Sequence, residues 1–398
     1  MLDGFVHPDF YPVARALRWQ VQRLPGGCAA TVYYKGKCVV DIWGGAKDSA
    51  GNPWQRDTIA TSFSTTKGVA STALHMCVDR GLLDYDDPVT RYWPEYGQNG
   101  KERTTIAHCL THAAGLYNVR ALVSHAEDLK DWDLVTKAME KAAPEHAPGE
   151  HHAYHALTYG HLIGELVRRV TGAPLSEFVQ KEIAEPLGLD GLYLAVPESE
   201  VPRAAQLLWK KPNRQQVGQS RKALKSPRGL LKPLLRRIGV SPKRIAEALL
   251  PVGMSEFDLS APDVLMASIP AANGNFTARS LAKLYACLAN GGEFEGVRLL
   301  SRKTLERATV IQTTRADRVI AIPMYWRLGY HAVNTTRGAV KTGFGHYGFG
   351  GSGGFADPAR DLGVGMTLNG WLENPIGNLR LPHIAGVTMG CIQKIEKR

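Results

Sequence analysis

Two serines in this 398-residue chain sit in patterns that could make them nucleophiles. Gly350-Gly351-Ser352-Gly353-Gly354 matches G-x-S-x-G, in which a strained strand-to-helix turn lifts a serine hydroxyl into a site. Ser64-Thr65-Thr66-Lys67 matches S-x-x-K. Either would support acyl transfer, with the serine oxygen attacking a carbonyl carbon while a neighbouring base takes its proton. The first pattern fails on its surroundings. It needs a helix directly after the serine, whereas Ser352 is followed by two glycines and then the turn at Asp357-Pro358. Asp357 or Asp361 could pair with His383 to complete a triad, but His383 follows too closely in the chain. With 41 glycines present, the pattern arises easily by composition.

The S-x-x-K spacing has a physical purpose. Three residues is nearly one helical turn, so the Lys67 amine shares a face with the Ser64 hydroxyl. A lysine partly desolvated by an apolar helix loses its proton more readily, which suits it to activate a serine. The helix N-terminus would also direct free N–H groups at the acyl oxygen, forming half of an oxyanion hole. The pattern alone is weak, because Ser280-Leu281-Ala282-Lys283 repeats it inside an amphipathic helix with no other support.

The elements that must hold these residues follow from periodicity. Residues 28–43 read as a hairpin turning at Lys35-Gly36-Lys37. Between Thr66 and Arg80 the apolar residues recur at helical spacing, and Gly81 stops the run. Helical patterns then dominate to about residue 300, the clearest over 159–172 and 278–292, each closed by glycine. After about 318 three segments read as consecutive strands (VIAIPMYWRLGYHAV, GHYGFGGSGGFADP, LGVGMTLNG), and a helical tail over 375–391 closes the chain. The expected fold class is α+β: an antiparallel sheet built from both chain ends, flanked by helices, plus a helical subdomain. Residues 1–65 and 300–398 would form the sheet-containing part and 66–299 the helical part. Such an order lacks the strand–helix alternation of a doubly wound sheet.

Composition narrows the class. With 44% hydrophobic and 21% charged residues, the chain is neither disordered nor fibrous. No run reaches the roughly 18 apolar residues of a membrane-spanning helix. The acidic, proline-bearing start MLDGFVHPDF does not read as a secretory leader, and the six cysteines show no C-x-x-C spacing. Free buried thiols and a cytoplasmic location are the expectation. The net charge of +11 belongs to one insert at about 203–247, where thirteen Lys and Arg fall without an acid between Glu200 and Glu247. Within it, GLLKPLLRRI (229–238) gathers leucines on one helical face among cations. It reads as a lid over a cleft, a packed surface insertion or a peripheral membrane contact. No module for nucleic acid accompanies it.

Around Ser64, the order of LDYDDPVTRYWPEY (83–96), TTIAHCLTHAAGL (104–116), PGEHHAYHALTYGHLIGELVRRVTG (148–172) and NGNFTARSLAKLYACLANGGEFEGVRLLS (273–301) resembles the serine β-lactamase and penicillin-binding protein superfamily. The likeness is to its bacterial esterase branch, itself similar to class C β-lactamases, and covers about residues 20–390 less the basic insert. It implies a β-lactamase/transpeptidase-like fold and three site motifs. Ser64 and Lys67 match the first. The second, a tyrosine-led Y-x-N, falls at Tyr154-His155-Ala156, where the tyrosine is present and the asparagine is not. The third, K-T-G or H-T-G, precedes a glycine-rich hairpin and so falls at His346-Tyr347-Gly348, not at the literal Lys341-Thr342-Gly343. The resemblance then implies that the N–H groups of Phe349 and Ser64 form the oxyanion hole.

The departures are informative. Ala156 has no side-chain hydrogen bond to offer, and His346 is at best partly charged near neutral pH. Both remove recognition of an anionic amide while keeping the acyl-transfer machinery. The expectation is a carboxylic-ester hydrolase with a Ser64 acyl-enzyme and no cofactor, Lys67 or Tyr154 serving as base. A β-lactamase, DD-peptidase or acyltransferase with the same site is the near alternative, and a non-catalytic membrane-associated scaffold the distant one. His146, His151, His152, His155 and His161 cluster without a zinc spacing. They are expected to form a polar cleft rim and hold no metal.

Overall fold

In the computed structural model, which describes residues 1–209, 241–371 and 379–398, strands from both chain ends build one sheet. Its seven antiparallel strands are β1 (Leu2–Val6), β2 (Gly27–Tyr34), β3 (Lys37–Gly45), β4 (His331–Thr335), β5 (Gly338–Tyr347), β6 (Gly353–Asp357) and β7 (Leu362–Leu368), in the order β1-β3-β2-β7-β6-β5-β4. The fold is α+β, with an antiparallel sheet drawn from both chain ends and flanked by helices, as expected. The β2–β3 hairpin turns at Lys35 and Gly36, both with positive φ (49° and 73°), the backbone sense that matches strand twist in a two-residue turn.

Alternation along β7 separates two helical layers. Leu362, Val364, Met366 and Leu368 face α1 (Tyr11–Arg23) and α5 (Arg380–Ile395) through Val13, Leu17, Ile384 and Ile392. The intervening Gly363 and Gly365 face α4 (Ala278–Ala289). A Cβ on Gly363 would come within 2.3 Å of Ala286 N, so those glycines let helix and sheet backbones touch.

On that second side lies α2 (Thr65–Asp79), which carries the S-x-x-K lysine. It is buried all round from Thr65 to Cys77. Its polar side chains are met by tyrosines from three other segments: Ser71 Oγ lies 2.7 Å from Tyr159 OH, Thr72 Oγ1 2.8 Å from Tyr330 OH, and His75 Nδ1 2.8 Å from the Tyr85 hydroxyl. Satisfied buried polar pairs of this kind fix a helix rotationally as well as by depth. Helix α3 (Thr158–Thr171), closed by Gly172 in the left-handed conformation, packs against it.

Four details differ from the sequence expectation. The N-terminal β1 and α1 were not anticipated. Residues 319–330 do not form a strand, because the Asp317 carboxylate takes the backbone N–H groups of Val319 (2.8 Å) and Ile320 (2.9 Å) that a ladder would need. Short strands (Ala60–Thr61, Leu192–Tyr193, Asn275–Phe276) form a small sheet within the helical middle. The closing helix starts at Arg380 and runs to Ile395. The amphipathic stretch 229–238 lies outside the described residues. All six cysteines are unpaired. Among the described residues no helix is long and apolar enough to cross a membrane.

Candidate active site

Ser64 stands at the junction of the small sheet and α2. Thr61 pairs with Asn275, Ser62 N–H donates to Gly274 O (2.8 Å), and Ser62 Oγ donates to Ala60 O (2.8 Å), so the chain entering Ser64 is tied on both sides. Phe63 then takes a left-handed φ of 49°, uncommon for a bulky residue, and turns the chain into the helix. Ser64 is the half-exposed residue in an otherwise buried run from Ala60 to Ala70.

Two side chains converge on its hydroxyl. Lys67 Nζ lies 3.1 Å from Ser64 Oγ, and the Tyr154 hydroxyl donates to the same oxygen at 2.6 Å. Lys67 is fully buried and has no acidic partner among the described residues. Burial therefore holds its amine well below the usual lysine range. Nζ also donates to two main-chain carbonyls, Ala156 O (2.7 Å) and Ala271 O (2.9 Å). Ala156 thus reaches the lysine through its backbone, a contact no side-chain pattern could reveal. Burial raises the Tyr154 phenol above its ordinary range, against a lesser lowering by its bond to Ser64. The ring is stacked on Trp326 (centroids 5.7 Å, planes 4° apart) and edge-on to His112 (4.8 Å).

Asp317 organises this wall and was not found in the sequence. Its carboxylate accepts from Tyr154 N–H (3.2 Å) and from Trp326 Nε1 (3.2 Å), binding the tyrosine segment to the ring that stacks on it. Only its place between two segments distant in sequence makes it matter. A short helix, Pro242–Leu249, adds Ala248, Ile245 and Leu249 to the apolar cluster around Tyr154, Trp326 and Val319.

The His346-Tyr347-Gly348-Phe349 segment closes the other side. His346 Cβ is 3.2 Å from where a Cβ on Gly68 would stand, which sets the histidine against α2. His346 Nδ1 bonds to Tyr347 O (3.0 Å), so it carries the proton and Nε2 is left as a buried acceptor with no partner among the described residues. Burial first, then the neighbouring His331 and Lys67, keep the ring well below ordinary histidine basicity, so it is neutral. Tyr347 N–H donates to His331 Nε2 (2.9 Å), a second positioning residue with no sequence signal. A Cβ on Gly348 would stand 2.2 Å from Ser62 O and 2.7 Å from Thr65 Oγ1, so only glycine allows this close approach. Among the described residues neither Ser64 N–H nor Phe349 N–H has an acceptor.

The decoys lie elsewhere in function or in space. Ser352 is buried in an extended conformation, donates to Ser62 O (3.0 Å) and accepts from Gly348 N–H (2.8 Å). It ties the His346 segment to the Ser64 segment, and among the described residues its hydroxyl meets only Ser62 O and Thr65 Oγ1, neither of them a base. Lys341-Thr342-Gly343 forms a bulge within β5, where Phe344 pairs with Ala332 but Val340 already pairs with Val333, and Thr342 donates to Asp357. The histidine cluster divides: His151 and His152 line an open pocket with Thr313 and Arg315, His146 is partly exposed, and the other two point inward. His155 and His161 are fully buried, His155 accepting Leu116 N–H at 3.0 Å, and His152 bonds to Thr111 O at 2.7 Å. Among the described residues no group of three or more His, Cys, Asp or Glu is placed to hold a metal ion.

A family described as Beta-lactamase matches residues 16–388. The chain is 38% identical over 374 residues to the esterase/beta-lactamase LipL of Mycobacterium tuberculosis (strain ATCC 25618 / H37Rv), covering 92% of this chain and 82% of that protein. It is similar in structure to a family VIII carboxylesterase, with a TM-score of 0.83, 31% identity and coverage of 98% of this chain and 100% of the other. EstA from Arthrobacter nitroguajacolicus Rue61a superposes with a TM-score of 0.76 at 26% identity, covering 97% and 98% of the two chains.

Proposed function

This chain belongs to the beta-lactamase family, and from that premise we propose that it is a serine hydrolase that cleaves uncharged carboxylic esters through an acyl-enzyme on Ser64. The observation that carries the reading is the pair of contacts on one hydroxyl, Lys67 Nζ at 3.1 Å and Tyr154 OH at 2.6 Å. A neutral amine has two N–H bonds and one lone pair. With both N–H bonds directed at Ala156 O and Ala271 O, the lone pair faces Ser64 Oγ. Lys67 is thereby the base and Tyr154, a phenol and not a phenolate, the acid.

As Ser64 Oγ bonds to the ester carbon, its proton moves to Lys67, and the carbonyl π electrons go to an oxyanion held by the N–H groups of Ser64 and Phe349. When the carbonyl re-forms, the C–O bond to the alcohol breaks and the departing alkoxide takes the Tyr154 proton, which the Lys67 ammonium replaces. Water then attacks the acyl-enzyme by the same steps in reverse order, with Ser64 as leaving group. The neutral His346 offers no cation for a substrate carboxylate. The apolar wall of Ile245, Leu249 and Met324 beside Tyr154 and Trp326 suits a hydrocarbon acyl or alcohol group.

The test is p-nitrophenyl butyrate hydrolysis by wild type, Ser64→Ala and Ser352→Ala, with nitrocefin in parallel. Turnover lost only in Ser64→Ala supports the reading. Turnover lost only in Ser352→Ala would overturn it, and nitrocefin turnover without ester turnover would favour a β-lactamase at the same serine.

A further inference from the structure

A groove of roughly 860 Å³ lies between α1 and α5. It is on the opposite face of the sheet from α2 and Ser64, and its size falls within the range of small-molecule sites. At its floor is Arg380, only 4% exposed. Its guanidinium donates to Gln20 Oε1 (3.0 Å) and Gly370 O (3.1 Å), and buried Gln20 Nε2 returns a bond to Arg380 O (3.1 Å). The Cys28 thiol lies alongside. No carboxylate pairs with Arg380 among the described residues, whereas Arg168, Arg169 and Arg279 each have at least one. A guanidinium keeps its charge when buried, and among the described residues this one has no counter-ion.

The rim repeats the sign. Arg15, Arg337 and Lys394 line it, and among the described residues none of them forms an ion pair and no acidic residue lines the groove. Between these cations the walls are apolar. Trp19 and Leu379 are large hydrophobics left 46% and 51% exposed, and Leu24 and Val387 continue the surface. A cation at the floor of an apolar groove, with more cations above it, fits an anion attached to a hydrocarbon chain. A polyanion such as nucleic acid has no use for the apolar walls. A bilayer surface would meet the rim but could not reach Arg380 beneath it.

We propose that the α1–α5 groove binds a single long-chain carboxylate, its head on Arg380 within the Arg15, Arg337 and Lys394 ring and its tail along Trp19, Leu24 and Leu379. Ester hydrolysis at Ser64 would release an acid of this class, but the groove is built independently of that site.

The experiment is isothermal titration of laurate, below its micelle concentration, into the full-length protein and three variants. The exposed double variant Arg15→Glu/Lys394→Glu tests the rim, Arg380→Gln the floor, and Ser64→Ala the separate site. The expected result is saturable binding at one site, weakened at least tenfold in the rim variant and in Arg380→Gln, and unchanged in Ser64→Ala. Dodecanol and dodecyltrimethylammonium should not compete. Because Arg380→Gln could unfold the protein, the rim variant with unchanged melting temperature and p-nitrophenyl butyrate turnover decides. Absence of laurate binding, binding that survives the rim charges, or binding lost in Ser64→Ala would each overturn the proposal. So would rim-dependent sedimentation with phosphatidylglycerol vesicles in place of monomeric laurate binding. An inactive wild type that still binds laurate through the rim would count against the esterase reading alone.

Discussion

Replacing Tyr154 with phenylalanine isolates one oxygen atom. The hydroxyl 2.6 Å from Ser64 Oγ is lost, while the ring keeps its place on Trp326 and beside His112. The fold should lose about 1 kcal/mol, the worth of one hydrogen bond. The rate should lose much more, and by an amount set by the leaving group. A departing p-nitrophenolate is stable without a proton, whereas ethoxide must receive one as the C–O bond breaks. General acid catalysis contributes about 10²–10⁴-fold. For ethyl butyrate, kcat/KM should therefore fall by about 10³-fold, which is about 4 kcal/mol of transition-state stabilisation. For p-nitrophenyl butyrate the loss should be only about tenfold, because the acid is no longer needed there. The assay is steady-state hydrolysis of both esters by wild type and Tyr154→Phe, with thermal unfolding as the control for folding. Equal losses on the two esters would refute the assignment of Tyr154 as acid to the alcohol and move it to the base side. No loss on either would remove it from the reaction.

Other outcomes follow from the same geometry. Lys67→Met should abolish turnover, and the stability of wild type relative to this variant should worsen as pH falls from 10 to 7. The unfolded lysine takes up a proton there that the buried one does not; a pH-independent difference measured by denaturant melts would contradict a depressed Lys67. Histidines buried as neutral rings, among them His75, His161 and His331 at about 4 and His155 at about 3, bind protons below pH 6.5 only when unfolded. Stability should consequently fall between pH 6.5 and 4.5, by up to about 1.4 kcal/mol per pH unit for each such ring, measurable as a drop in Tm; a flat Tm across that window would count against neutral burial. Gly348→Ala would place a methyl 2.2 Å from Ser62 O and push the Phe349 N–H away. Its kcat should fall by about 10²–10³-fold, as for loss of one oxyanion donor, and an unimpaired variant would take that amide out of the site.

Local rules carried the sequence reading a long way. The spacing of Ser64 and Lys67 is a property of one helical turn, so it is visible wherever a helix is, and α2 forms over nearly the span its apolar periodicity marks. The hairpin at Lys35-Gly36 and the late strands around His346 and Val364 were legible for the same reason, since alternation and turn residues act over a few positions. The segment 319–330 was misread as strand because one buried carboxylate, Asp317, captures its N–H groups, and a side chain's reach into a distant backbone leaves no periodic trace. Nor could the sequence show that α2 is buried on every side, because tyrosines from three other segments supply its polar side chains with partners indoors.

The sequence by itself determined the residue types, the order of the three motifs and the helical phase that puts Lys67 beside Ser64. Only the tertiary structure decided that two carbonyls, Ala156 O and Ala271 O, hold that lysine, that Asp317 and His331 fix the walls, and that Ser352 is a tie between segments. The physical reason is that main-chain carbonyls are identical at every position and burial is a property of what surrounds a residue. Which carbonyl meets an amine, and whether water can reach it, exist only once the chain has closed.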